Sequence, residues 1–432
     1  MIPTSTDAPA SPAAATPPGA GKWIIVGLLW VAYFLNQADR QIFSVTLPLI
    51  QADFHLSSAQ MGLVATVFTL VFGLTVPFAG FAGDIIARYK VVVLSLIVFS
   101  AGTLFTGLAS SYLLLLLFRG VATGTGEAMY APAANSMIGE QHVSTRGRAL
   151  SLHQTANYTG IVLGSLFAGW IAETHGWRWS FAVFGVAGLI WAGILFVFAR
   201  RITARSAAAA EASPPADRAR IVADAVKAVI TSPLLLAQIL GFSALIFVMV
   251  GYLTWTPSLL LERFGLSLSQ AGFFAVLYHH LFAAVGLLAT GMIADRLVGR
   301  RPKIRLLAMS SGLVLFAPFL WLAGASQQVW LVYAGLAGFG LFRGVYDANL
   351  FAAIFDAVDN RLRSTVTGIV VAVAYVAGAA SPFIMGALKA RYGLEGGFTL
   401  LAAVALVSGL IFLGIVLATR VVPADRPGTG GH

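Results

Sequence analysis

Twelve mostly apolar stretches of 18 to 29 residues follow one another along this 432-residue chain. They cover residues 23–50, 58–83, 91–109, 112–138, 149–171 and 179–199, then 233–261, 270–294, 306–323, 329–355, 365–388 and 398–419. The hydrocarbon core of a bilayer is ~30 Å thick and a helix rises ~1.5 Å per residue, so about 20 such residues cross it. Lipid offers the backbone no hydrogen bonds, so each crossing segment must satisfy its own amides as a helix. The expected fold is an all-α membrane protein with twelve transmembrane helices. Composition agrees: 58% of residues are hydrophobic, only 10% are charged, and the mean hydropathy is +0.86. Soluble domains carry roughly 25% charged residues. A disordered chain, a coiled coil and an ordinary cytosolic enzyme are therefore excluded.

The polar remainder organises the chain. Residues 1–21 hold Ala, Pro, Ser and Thr with no basic start, and read as a disordered tail rather than a secretory signal. Residues 421–432 form a second tail. A basic, Pro-containing linker at 200–232 separates two groups of six spans, at 22–199 and 233–420, with a short interfacial helix expected at 216–230. Of 27 Lys and Arg, 20 fall on the side of the N-terminus, four on the other side and three inside spans. That asymmetry puts both termini in the cytoplasm and the spans in the cytoplasmic membrane. The net charge of +10 is thus an orientation signal and not a nucleic-acid footprint. There is no cysteine, and the seven His show no metal spacing, so neither a cofactor nor a metal is expected.

The two groups of six echo each other. GFAGDIIARYK ends the second stretch and GMIADRLVGRR the eighth, with Asp84 and Asp295 211 residues apart. Arg146 and Arg148 recur as Arg361 and Arg363 at an offset of 215. An offset held across separate loops marks a duplicated six-helix unit. FRGV at Phe118 and Phe342 lies off that register and reads as coincidence.

On these motifs the chain resembles the major facilitator superfamily over nearly its whole length outside the tails. The resemblance implies two pseudo-symmetric six-helix bundles, alternating access, no enzymatic activity and a monomer in the bilayer. The loop after span two, of the form G-x-x-x-D-R-x-G-R-R, appears as Gly80, Asp84 and Arg88, with Ile85 and Ala87 departing from it. The second copy has Gly291, Asp295, Arg296 and Arg300. These are the implied gating residues.

Six ionisable residues lie inside spans, where a charge costs ~2.5–3.5 kcal/mol on insertion scales. They are Asp39, Arg40, Arg119, Glu127, Arg343 and Asp347. Arg119 and Glu127 are spaced i, i+8 near one face, and Arg343 and Asp347 are spaced i, i+4 for an ion pair. Asp39 and Arg40 point about 100° apart, so one can face a cavity while the other meets the fourth span. A buried carboxylate can alternate between a proton and an Arg partner, which makes Asp39 and Glu127 the candidate proton carriers. An Arg offers a fork of donors to a carboxylate, which makes Arg40 the candidate clamp. Arg119, Arg343, Asp347, Tyr33, Gln37 and His280 complete a candidate substrate site with Gln154, Asn157 and Tyr158 of a polar stripe that also holds His153. The alternative is a static charge network. Pro257 and Pro382 are expected to kink spans seven and eleven.

Two branches of the superfamily resemble this chain. GEAMYAPAANSMI, the Asp39–Arg40 pair, Arg146-x-Arg148 and GWRWSF are similar to the anion:cation symporter branch, which implies proton-driven uptake of a small organic anion. The Asp-Arg pair and Gly-Glu-Ala are equally similar to the Spinster-like branch, which implies lysolipid or amphiphilic cargo. A proton-coupled exporter is a third reading.

Overall fold

A computed structural model describes residues 21–419 apart from 143, 204–214, 299, 302 and 360, with the side chains of 80–85, 201–203 and 215–219 also outside the described set. Residues 1–20 and 421–432 of the expected tails therefore lie outside the described residues, and Gly80 and Asp84 fall within the 80–85 stretch, while Gly21 opens the first helix.

The described residues fold into helices. The first half runs α1 (Gly21–Asp53), α2 (Ser58–Ile85) and α3 (Arg88–Gly107). Its fourth crossing is α4 (Tyr112–Leu115), a π-helical segment (Leu116–Ala122), α5 (Thr123–Ala128) and α6 (Tyr130–Gln141). Then come α7 (Arg146–His175) and α8 (Trp177–Thr203). The linker helix α9 (Pro215–Thr231) lies one residue either side of the expected 216–230. The second half holds α10 (Pro233–Phe264), α11 (Leu268–Leu297) and α12 (Ile304–Ala325). Its tenth crossing is α13 (Val329–Asp347) with α14 (Leu350–Ala357). The last two are α15 (Arg363–Gly378) and α16 (Ser381–Ala418), the latter turning at Gly393 with φ +63°. Eleven and twelve thus share α16, and the break in eleven falls just before Pro382, as expected. Around Pro257 the helix α10 continues unbroken.

Among the described residues, eight helical stretches are long and apolar enough to cross a membrane, α13 with α14 and α15 with α16 each counting as one, and the 363–418 stretch is long enough for two crossings. The crossings that fall short are the first, fourth and fifth. Those three carry Asp39 and Arg40, Arg119 and Glu127, and His153 to Tyr158. Their polarity is buried inside the protein: Asn36, Gln37, Asp39, Gln41, Arg119, Glu127 and His153 are all at most 6% exposed.

Each half packs on itself, α1 on α7 and α3 on α8 in the first, α11 on α13 and α12 on α16 in the second. The halves meet where α2 touches α15 and α16, and where α7 touches α11. Helices α2 and α11 begin alike. Ser57 and Gln60 exchange backbone and side-chain hydrogen bonds, and Ser267 and Gln270 form the same capping box 210 residues later. Beside these caps the halves press together through glycine. A Cβ on Gly386 would lie 2.2 Å from the Ser58 carbonyl oxygen, and one on Gly169 would lie 2.5 Å from the Ser269 backbone. Glu173 reinforces the second contact, accepting from the Ser269 amide at 3.1 Å and its hydroxyl at 2.9 Å. This end, away from the N-terminus, is the tight one.

Candidate functional site

Behind that seam lies a cavity of about 470 Å³ between the halves, within the size range of small-molecule sites. Its wall runs from Ser44 out to Ala131 and Phe351, the latter 46% exposed, toward the end that bears the start of α1.

Tyr33, Gln37 and Arg40 recur at three- and four-residue spacing, so α1 presents them on one face. Arg40 donates from Nε to Glu127 Oε2 at 2.5 Å, and its guanidinium lies 4.4 Å from the Phe72 ring centre. Its side chain stays 23% exposed, and among the described residues no partner engages its two terminal nitrogens. Glu127 is fully buried, and its second oxygen, Oε1, has no hydrogen-bond partner among the described residues. Asp39 turns the other way around α1 and still meets the fourth crossing. Its Oδ2 accepts from Arg119 Nη1 at 2.7 Å and its Oδ1 from the Thr103 hydroxyl at 2.5 Å. Arg119 also reaches the Arg40 carbonyl at 3.4 Å. Adjacent residues of α1 therefore pair with residues eight apart on the fourth crossing, which closes a four-charge box. Asp39 and Arg40 thus take different partners on that crossing, and Arg40 faces the cavity as well.

The π segment is what seats Arg119. Such bulges add a residue to one turn and recur at functional sites. Small residues bring the neighbours close: a Cβ on Gly126 would sit 2.4 Å from the Phe99 amide.

The second half supplies Arg343, His280 and Tyr375 to the cavity wall. Arg343 lies 3.0 Å from Asp347, off the hydrogen-bond line, and donates to His279 Nε2 at 3.1 Å. Arginine only donates, so His279 accepts there and carries its proton on Nδ1. His280 bonds the Val276 carbonyl through Nδ1 at 2.8 Å, leaving Nε2 for the cavity.

The polar stripe of α7 divides. Asn157 and Tyr158 line the cavity. His153 is buried, shares the Tyr130 hydroxyl at 3.0 Å and stacks on Tyr33. Gln154 is exposed and off the cavity wall. Asp347, partly exposed beside Arg343, is not among the residues of the wall. The residues expected to gate lie apart from the cavity wall, at the open end. Arg88 pairs with Glu140, and Asp295 pairs with Arg305 at 2.9 Å, each inside its own half. Gly291 has open space around it, and Arg296 and Arg300 are exposed. Thr103, Phe72 and Tyr375 were not legible as site residues. Only Tyr375 left a signal, a lone tyrosine in a run of Val and Ala.

The model of the Major Facilitator Superfamily matches residues 29–310 and 281–431. The chain belongs to this superfamily. It is therefore a multi-pass transporter of the membrane and not an enzyme. A hexuronate transporter of Bacillus subtilis is 25% identical over 395 residues, covering 88% of this chain and 91% of its own. Protein spinster homolog 1 of Xenopus tropicalis is 27% identical over 383 residues, covering 84% and 72%. Among solved structures, a bacterial homolog of the human lysosomal transporter Spinster, inward-facing and unoccupied, aligns with a TM-score of 0.80. It is 20% identical and covers 94% of this chain and all of its own. The superfamily fold accounts for the duplicated caps and for the paired glycine contacts at the seam.

Proposed function

We propose that this transporter carries a small organic anion, a carboxylate, together with protons by alternating access. The observation that carries the reading is the Arg40–Glu127 pair. Arg40 has its Nε on Glu127 and its terminal nitrogens toward the cavity, while Glu127 keeps one oxygen without a partner. A proton on Glu127 cancels its charge and releases Arg40 to a substrate carboxylate. The site stays near neutral when loaded and when empty, and a neutral site crosses the low-dielectric middle at least cost. Asp39 is the second proton carrier, coupled to the same box through Arg119.

In this reading residues 22–199 and 233–420 rock against each other, with 200–232 as the linker. The basic loops lie against the inner leaflet, which puts both termini in the cytoplasm and the protein in the cytoplasmic membrane. Names among the similar proteins, a hexuronate transporter and a D-galactonate transporter of Escherichia coli, support an anion. The resemblance to the Spinster-like branch implies an amphiphile as the second reading, and the apolar part of the cavity wall supports it. In proteoliposomes, Glu127→Gln should abolish gradient-driven accumulation while sparing exchange at equal concentrations. Arg40→Ala should abolish both. Normal accumulation by either variant removes that residue from the mechanism.

A further inference from the structure

Polar and apolar groups are unevenly placed around the cavity. The first half presents Arg40, Glu127, Asn36, Gln41 and Asn157 along with the rings of Phe68 and Phe72, and the second half adds His280 and Tyr375. Opposite them, α10 presents Phe242, Ile246, Met249, Val250 and Leu253, spaced by threes and fours so that they form one stripe. The hydroxyl on that stripe, Thr254, is 4% exposed and donates to the Val250 carbonyl of its own helix at 2.7 Å. Val371 of α15 extends the apolar surface. The cation of the second half, Arg343, already has Asp347 and His279 as neighbours.

We infer that the cargo is an amphiphilic monocarboxylate, an aryl or alkyl acid whose carboxylate rests on Arg40 and whose apolar body lies along the α10 stripe. The inference rests on the proposed anion reading and narrows it. A polyhydroxylated acid would press hydroxyl groups against α10, where they lose water and find no partner. Sites discriminate strongly on that ground, because an unpaired buried polar group costs more than a missing apolar contact. An apolar body gains from the same surface. Arg40 is the guanidinium with no carboxylate of its own helix paired to it, so it takes the carboxylate. A second carboxylate at Arg343 would meet the like charge of Asp347, whose oxygen lies 3.0 Å from the Arg343 Nε.

Equilibrium binding to the purified full chain tests this with three probes: 4-phenylbutanoate, its neutral amide 4-phenylbutanamide, and gluconate. Phenylbutanoate should bind, and the other two should bind at least about 10-fold more weakly. Met249→Gln, close in volume, should weaken phenylbutanoate by about 10-fold and narrow its advantage over gluconate. Val250→Thr, nearly isosteric, should act in the same direction if Met249→Gln fails to fold. The ratio of the two affinities is the readout, because a shifted conformational equilibrium would move both alike. Gluconate binding more tightly, with both acids dependent on Arg40, overturns the amphiphile and leaves the anion reading intact. Equal binding of acid and amide, unchanged in Arg40→Gln, overturns the anion reading and this inference with it. No binding by phenylbutanoate, or an unchanged ratio in both stripe variants, overturns the inference alone.

Discussion

Gly386→Ala is a direct probe of the seam between the halves. The added Cβ would lie 2.2 Å from the Ser58 carbonyl oxygen, 2.8 Å from its carbonyl carbon and 2.9 Å from the Trp255 ring. The first two atoms are backbone and cannot swing away. Ordinary carbon contacts lie near ~3.5 Å, so α2 and the start of α16 must part by about 1 Å. Overpacking of this kind costs ~1–3 kcal/mol. The penalty falls on the contact between halves, so it biases the protein away from the arrangement described here by about 5- to 150-fold. The chain has no cysteine, so Val45→Cys makes a clean reporter. Val45 is 1% exposed and packs on Ala172 and Leu268 at the same seam. Maleimide labelling of that thiol should accelerate by about 5- to 150-fold in the Gly386→Ala background. Gly169→Ala should do the same from the other contact, and Gly27→Ala, with nothing within 4 Å, should not. An unchanged labelling rate in a Gly386→Ala protein with the parent melting temperature would refute the argument that this seam sets the conformational balance.

Two further outcomes are expected. Asp39→Leu or Arg119→Met alone should lower unfolding stability by ~3–5 kcal/mol, because the partner left behind is a buried unpaired charge. The double variant should recover most of that loss in denaturant melts yet fail to transport; a double variant no more stable than the singles would contradict the pairing. At the closed end, the hydrogen bond from Arg178 holds the Asp53 carboxyl below its ordinary value, with Trp177 assisting. A depressed carboxyl stabilises the fold above its unfolded value of ~3.9 and loses that contribution as the pH falls through the lower folded value. Wild type should therefore melt slightly above Asp53→Asn at neutral pH, and the two should converge in acid. The difference is small because both partners are exposed, and a gap that widened on acidification would contradict the assignment.

Much of this fold was legible from the sequence because membrane spans announce themselves by length. The linker helix was equally plain, since a polar stretch between two sets of six spans has one place to go. Pairing was harder. Asp39 and Arg40 point apart on α1, so different partners were expected, and they are Arg119 and Glu127. Yet the fourth crossing wraps enough of α1 to meet both, and it carries a π segment at 116–122 that no periodicity reveals. Thr103 left no trace either, because a threonine in an apolar span more often bonds its own helix, and the Phe99 carbonyl, 2.9 Å from the Thr103 hydroxyl, competes with Asp39 for its one proton. The seam glycines were visible only as an abundance, 45 in the chain. Which of them face the other half depends on tertiary contacts that spacing does not encode. The α10 stripe has ordinary span composition, and only the surface facing it makes it a cavity wall.

The central claim is that Glu127 takes a proton when Arg40 takes a carboxylate. It is tested most directly by substrate-evoked proton movement in weakly buffered proteoliposomes, measured with a pH dye beside labelled substrate uptake. Wild type should alkalinise the medium in proportion to carboxylate entry, and Glu127→Gln should exchange substrate with no pH change. Proton movement that persists in Glu127→Gln, or carboxylate uptake by wild type with no proton movement, would contradict the account.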